Sequence, residues 1–255
     1  FGVLGIEADG LSEPPYEAFR VSSEMVADSD WRFVSKREEE AMRAMEDAGA
    51  PLRTYCVDGA VERGLRTGDN DTFVLDRETV ESYGIEEELV RRLVGGQQVE
   101  RWYSPWTDRY VLYTRKDTEI DDYPNAKAYL EERRDSLEDR WCVSEGGEPW
   151  YAIDKTKTPA TFERPKIVTP DIVLYNNFWL DQSGAFYCLN TTYQVLSKEG
   201  VDDWYLLGLL NSDPVQFFYR RTAPTYKDEF LRYISEYLQK IPIPNPDGAD
   251  PDTVQ

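Results

Sequence analysis

Three apolar phrases in the second half of this chain leave little freedom in how it can fold. Phe162-Glu163-Arg164-Pro165-Lys166-Ile167-Val168-Thr169-Pro170-Asp171-Ile172 is rich in β-branched residues and interrupted by prolines, so it reads as strand, break and strand. Tyr205-Leu206-Leu207-Gly208-Leu209-Leu210-Asn211-Ser212 reads as an apolar helix. Leu238-Gln239-Lys240-Ile241-Pro242-Ile243-Pro244 ends a helical turn and is forced by its prolines into an extended exit. Helix and strand therefore share one folded unit.

The rest of the chain extends that pattern. Residues 1–30 are irregular, with Pro14 and Pro15 breaking any helix. Ser35 to Ala48 reads as a helix capped by Ser35, with Met42, Met45 and Ala48 on one face, and Gly49 ends it. Leu52 to Cys56 reads as a short strand, and Gly64 to Leu75 as a glycine-hinged turn followed by a strand. Ile85 to Leu93 is predicted as a short helix, Tyr110 to Thr114 as a strand, and Tyr123 to Arg140 as a helix with Ala128, Leu130 and Leu137 as its apolar positions. Further strands are predicted at Ile172 to Tyr175 and Ala185 to Thr191, and helices at Asp203 to Asn211, Val215 to Arg221 and Glu229 to Lys240. Residues 1–50 are expected as a linker and lead-in helix, 51–245 as the main domain, and 246–255 as a mobile tail.

Composition excludes much chemistry. With no histidine, Ser-His-Asp and Cys-His catalysis are ruled out. Cys56, Cys142 and Cys188 are isolated, too few to build a zinc site, and read as reduced thiols of a cytoplasmic protein. No apolar run is long enough to cross a bilayer, so no membrane partner is expected. The first residue is Phe rather than Met, which suggests a fragment. The net charge of -20 is spread over the chain, with only 29 Lys and Arg against 49 Asp and Glu. Scattered carboxylates and few lysines are the pattern of adaptation to molar salt, where a Debye length of about 3 Å screens self-repulsion. A DNA mimic would instead gather its carboxylates on one face. Charge is locally uneven: Tyr151 to Ser197 holds four bases and four acids and is neutral. Such a window is either a surface kept clear of carboxylates or buried strand.

The side chains able to read DNA are arginine forks and amides. Candidates are Arg63, Arg66, Thr67 and Asn70, then Arg91, Arg92, Gln97, Gln98 and Arg101, and in the neutral window Lys155, Lys157, Arg164, Lys166, Asn176 and Asn177. Asp154-Lys155-Thr156-Lys157 has the residue types of a metal-dependent nuclease without a distinctive spacing. Gly64 to Gly68 lacks the Lys-Ser/Thr of a P-loop and leads into Asp69-Asn70-Asp71, which would repel a nucleotide phosphate.

Taken in order, these phrases resemble the TaqI-like C-terminal specificity domain of N6-adenine DNA methyltransferases and fused restriction–modification enzymes. Gly64-Leu65-Arg66-Thr67-Gly68 through Asn70 and Phe73-Val74 is similar to one family element. Leu93-Val94-Gly95-Gly96-Gln97-Gln98-Val99-Glu100-Arg101-Trp102 is similar to another, in which Gly-Arg-Asp is usual where this chain has Gly96-Gln97-Gln98. The strand at Tyr110, the helix at Tyr123 and the three opening phrases complete the series. The resemblance implies an α+β target-recognition domain, with a mixed, strongly twisted β-sheet and packed helices. It implies double-stranded DNA as partner and no catalytic residue, metal or cofactor in this chain. S-adenosylmethionine would be bound by a methyltransferase domain of the same parent chain, which would flip the target adenine. Glu13-Pro14-Pro15-Tyr16 shares only part of that domain's Asn-Pro-Pro-Tyr signature and reads as a proline turn. The alternatives are an acidic protein-binding module or DNA mimic that inhibits a nuclease, and a metal-dependent nuclease.

Overall fold

Ser35 opens the first regular element through a reciprocal cap: its hydroxyl accepts from the Glu38 amide, while the Glu38 carboxylate accepts from the Ser35 amide at 2.8 Å. The computed structural model describes residues 34–227 and 229–245, so Glu13 to Tyr16 and the polar tail lie outside the described residues. In chain order the elements are α1 (Lys36–Ala48), β1 (Gly49–Pro51), β2 (Cys56–Arg63), α2 (Asn70–Phe73), β3 (Val74–Asp76), α3 (Arg77–Tyr83), β4 (Val90–Val94) and β5 (Arg109–Leu112). Next come α4 (Pro124–Glu131), α5 (Arg134–Glu138), α6 (Trp141–Ser144), α7 (Pro159–Phe162), β6 (Lys166–Pro170), β7 (Ile172–Val173), β8 (Trp179–Asp181), β9 (Phe186–Cys188) and β10 (Thr192–Ser197). The chain finishes with α8 (Asp203–Leu210), α9 (Asp213–Thr222), β11 (Thr225–Tyr226), β12 (Phe230–Arg232), α10 (Ser235–Leu238) and β13 (Pro242–Pro244).

Two units are formed. Among the described residues, the smaller comprises 34–50 and 242–245, and the larger 51–227 and 229–241. In the smaller, β1 pairs with β13, and a side chain at Gly49 would meet the Ile243 backbone at 2.7 Å, so only glycine fits. Met42 and Met45 turn inward on α1, whereas Ala48 is exposed, contrary to the expected face.

The larger unit is α+β and holds three sheets. One has the order β2-β10-β6-β8 and is antiparallel throughout. Every residue of β10 and β6 is buried, as expected of strands covered on both faces. A second has the order β3-β5-β4-β9, antiparallel except for β4 with β9. A small third has the order β11-β12-β7. The main core gathers Phe73, Leu93, Val111, Leu112, Tyr129 and Tyr187 about the second sheet.

The turn Leu189 to Thr191 joins the first two sheets. Leu189 donates to the Val94 carbonyl at 3.0 Å, and the Thr192 carbonyl accepts from Gly64 at 3.1 Å. Leu65 bridges Leu189 in parallel. A Cβ on Gly64 would collide with the carbonyls of Cys188 and Leu189, which is why glycine stands there.

Several local expectations are corrected. Leu52–Tyr55 is a 3-10 turn because the Leu52 and Arg53 amides donate to the carbonyls of Ile241 and Gln239 instead of entering a sheet. The helix expected from Ile85 to Leu93 is reduced to a 3-10 turn at Glu87–Leu89, after which the chain enters strand β4, drawn into place between β5 and β9. The single helix expected from Tyr123 to Arg140 breaks at Glu132–Arg133, and Ala126 and Tyr129 rather than Ala128 face inward. Strands β8 and β10 and helix α3 were not foreseen, and the helix expected from Glu229 is strand β12 followed by the single turn α10.

Candidate nucleic-acid interface

Arg63 ends β2 beside the sheet-joining turn. Its Nε donates to the Asn190 carbonyl at 2.7 Å, its Nη2 stands 3.6 Å from the Asp171 carboxylate, and its guanidinium carbon lies 5.7 Å from the centre of the Tyr193 ring. Tyr193 is the β10 residue paired with Arg63 in register. Burial pushes the Asp171 carboxyl above the usual range, and the positive charges of Arg63 and Arg232 pull it back.

Thr191 ties a second loop to this corner. Its hydroxyl accepts from Gly96 at 3.0 Å, and its carbonyl accepts from Asp171 at 2.9 Å. Gly96 must be glycine, because a Cβ would sit 2.7 Å from the Thr191 oxygen. The Gly96–Gln98 turn closes on itself: the Gln98 amide oxygen accepts from Gly95 at 3.0 Å. Gln98 is therefore spent on holding the loop, while Gln97 is exposed. Arg232 approaches from β12, where it pairs with Ile172 and lies 5.7 Å from the Tyr226 ring centre. On that small sheet Phe230 and Ile172 are exposed.

Beyond Leu65, the Arg66 and Lys155 backbones bridge each other. Arg66 is paired with Asp154, Lys155 is exposed, and Lys157 is paired with Glu62. The contacts thus join Arg63 to Asn190 and Asp171, tie the loop that carries Gln97 to the neighbouring Thr191, and leave Arg232 acting on Asp171 through its charge, with Arg66 and Lys155 further along from Arg63. The exposed Arg63 guanidinium at the end of a strand and the exposed Gln97 amide on a loop tied to it are suited to hydrogen-bond base edges and phosphates.

Other expected contacts are structural. Lys166 is sealed from solvent, 2.6 Å from the Asp181 carboxylate and 2.7 Å from the Phe162 carbonyl, so it cannot reach DNA. Asn176 is buried, donating to the carbonyls of Leu210 at 2.7 Å and Ser212 at 3.2 Å and accepting from the Tyr233 hydroxyl. Thr67 is buried and donates to the Asn70 side chain at 2.7 Å. Arg101 donates to the Asn211 carbonyl, and Arg164 to the Ser197 carbonyl at 3.0 Å. Arg91 caps carbonyls of its own chain, at 2.9 Å for Glu88, and Arg92 covers Trp106 at 4.8 Å. Both sit on β4 rather than in the loop beyond it. Asn177 is half-buried.

Sequence reading missed Asn190, Asp171 and Arg232 as members of the corner, because only tertiary pairing brings them to Arg63. It also missed Arg140. Although charged, Arg140 is 9% exposed and donates to the carbonyls of Leu137 at 3.0 Å, Thr67 at 3.1 Å and Trp150 at 2.6 Å. Burial lowers its pKa from the ordinary guanidinium value. Its position after a run of acids offered no signal of that role.

Comparison with known proteins agrees with this architecture. The chain is 24% identical over 248 residues to the Type II methyltransferase M.BstVI of Geobacillus stearothermophilus, covering 96% of this chain and 43% of that protein. It is 28% identical over 227 residues to the Type II methyltransferase M.PaeR7I of Pseudomonas aeruginosa, covering 86% and 37%. The chain thus spans less than half the length of these relatives. Among solved structures, the type IIG restriction endonuclease BpuSI superposes with a TM-score of 0.56 at 13% identity, covering 87% of this chain and 27% of its own. The type IIL restriction-modification enzyme MmeI, in a structure with DNA, superposes at 0.51 and 16% identity, covering 71% and 24%. Residues 91–243, more than half of the chain, match the TaqI-like C-terminal specificity domain, and the chain belongs to that family.

Proposed function

We propose that this chain is the sequence-specific DNA-recognition module of a Type II adenine-N6 methyltransferase or fused restriction–modification enzyme. The observation that carries the reading is the corner where the Leu189–Thr191 turn holds Arg63 and the Gly96 loop that bears Gln97, within a family of specificity domains. Exposed Gln97 carries the amide donor and acceptor suited to a base edge, and Arg63, Arg66 and Lys155 lie near it with positive charge for phosphates. The module positions duplex DNA; S-adenosylmethionine and the reacting adenine belong to a methyltransferase domain of the parent chain.

The test is to express the full parent protein and map N6-methyladenine in host DNA. A single methylated motif that changes when residues 51–241 are exchanged for those of a relative supports the reading. Methylation without a motif, or a motif unaffected by the exchange, overturns it. A DNA mimic or nuclease inhibitor would bind no DNA at any salt concentration.

A further inference from the structure

Two large aromatic side chains stand in solvent on the loop that carries Gln97. Trp102 is 50% exposed and Tyr103 59%. The loop is held from several sides. The Trp102 amide donates to the Phe178 carbonyl at 3.0 Å, Glu100 donates to the Tyr103 carbonyl at 3.0 Å, and the Ser104 hydroxyl donates to the Gln98 carbonyl at 2.8 Å. Arg101 reaches the carbonyl of Asn211, whose side-chain amide brackets Phe178 by accepting from its N–H at 3.0 Å and donating to its carbonyl at 2.9 Å. The same Arg101 guanidinium lies 5.6 Å from the centre of the Trp102 ring.

This framework maintains Trp102 at a φ of +77°, a left-handed conformation unfavourable to a bulky residue. A fold does not need an exposed tryptophan at a strained position for its own packing. The loop also departs from the acidity of the chain. From Gly95 to Ser104 it has one acid, Glu100, against one base, Arg101, so no excess of carboxylate faces a polyanion there. Through Gly96 and Thr191 it is joined to the corner containing Arg63.

We infer that Trp102 and Tyr103 form an aromatic contact to the bound DNA, packing against base or sugar surfaces next to the groups that read the sequence. This rests on the DNA-recognition reading above and adds a different source of affinity. Phosphate contacts release counterions and weaken steeply with salt, whereas stacking does not depend on counterion release. A chain of charge -20 that binds DNA needs such a contribution.

The experiment uses the full parent protein and a duplex bearing its mapped methylation motif, with affinity measured by anisotropy over a range of KCl concentrations. Trp102→Gly removes the ring and suits the left-handed backbone, so its melting temperature should be at least that of the wild type. Its affinity should fall tenfold or more at every salt concentration with the slope of log K against log salt unchanged, and Trp102→Phe should recover most of the loss. Independently, the acrylamide quenching attributable to Trp102, read as the difference between wild type and Trp102→Phe, should decrease when the duplex is added. Affinity of Trp102→Gly within twofold of wild type, or quenching unchanged by DNA, overturns the inference. So does a variant that binds normally but lowers the melting temperature of the parent, because the ring would then be covered by protein. If the wild-type parent has no motif, the DNA-recognition reading itself fails, a result distinct from these.

Discussion

Lys166 and Asp181 form an ion pair at 2.6 Å with both side chains sealed inside the larger unit. The pair spans β6 and β8, and Asp181 also accepts from the Phe186 amide at 3.1 Å and the Ser183 hydroxyl at 2.7 Å. Removing one partner leaves the other charge buried without compensation. Lys166→Met and Asp181→Asn are each expected to destabilise the fold by about 3–5 kcal/mol, read from urea unfolding midpoints. The double replacement Lys166→Met/Asp181→Leu should recover much of the loss. DNA affinity of the folded fraction should be unchanged, contrary to what a surface lysine would give.

Arg140 supports the Thr67 turn by donating to three carbonyls from separate parts of the chain. Arg140→Met keeps much of the volume but leaves those acceptors unmatched, at an expected cost of about 2–5 kcal/mol. Arg140→Lys should restore only part of it, since an ammonium lacks the planar fork. Thermal unfolding of the three proteins checks the order.

Gly64 lets β2 pass against the Cys188 and Leu189 carbonyls. Gly64→Ala should force the two sheets apart at their shared turn and cost about 3 kcal/mol. Faster hydrogen exchange at the Gly64 and Leu65 amides, which bond to the Thr192 and Cys188 carbonyls, would locate the damage.

Gln97 and Arg63 should differ in kind on DNA. Gln97→Ala is expected to relax preference at one base position by about 1–3 kcal/mol. Arg63→Ala should weaken binding to all sequences and reduce the salt slope by about 1 if it neutralises a phosphate. Binding to a panel of single-position variants of the motif separates the two.

Alkaline pH should unfold the protein cooperatively. Burial pushes Cys56 up to about 11, Tyr113 up to about 12 and Cys188 up to about 12, and it raises Tyr219 and Tyr233 further still. Each raised group adds stability that is fully present below its unfolded value and is lost as pH rises through the folded one. Stability should be level near pH 8 and fall progressively above about pH 9 to 10, where unfolded thiols and phenols ionise. Absorbance of tyrosinate against pH should show a late, cooperative step accompanying loss of structure.

What could be read from sequence was whatever depends on neighbours along the chain. Ser35, Pro124 and the apolar run at Leu206 announced helices because caps and periodicity act within a few residues. Ile85, Leu89 and Leu93 recur at helical spacing, but Val90–Val94 is strand because β5 and β9 offer it hydrogen bonds on both sides. β10 carried a usable signal in Thr192, Tyr193 and Val195, all suited to strand. The neutral charge window from Tyr151 to Ser197 had two readings, and the burial of β6, β8 and β10 accounts for much of it. At the candidate interface, Arg63 and Gln97 could be nominated by residue type. Their neighbours Asn190, Asp171 and Arg232 could not, since nothing local marks residues that meet only after three sheets have formed.

The closed loop from Gly95 to Ser104 divides its residues between two kinds of evolutionary freedom. Gly96, Gln98, Arg101 and Ser104 serve as grammar, since each is committed to an internal contact and a change there disturbs the loop. Gln97, Trp102 and Tyr103 serve as vocabulary, exposed side chains that can be exchanged while the frame persists. A lineage under pressure to recognise a new site could therefore rewrite three letters without renegotiating the fold.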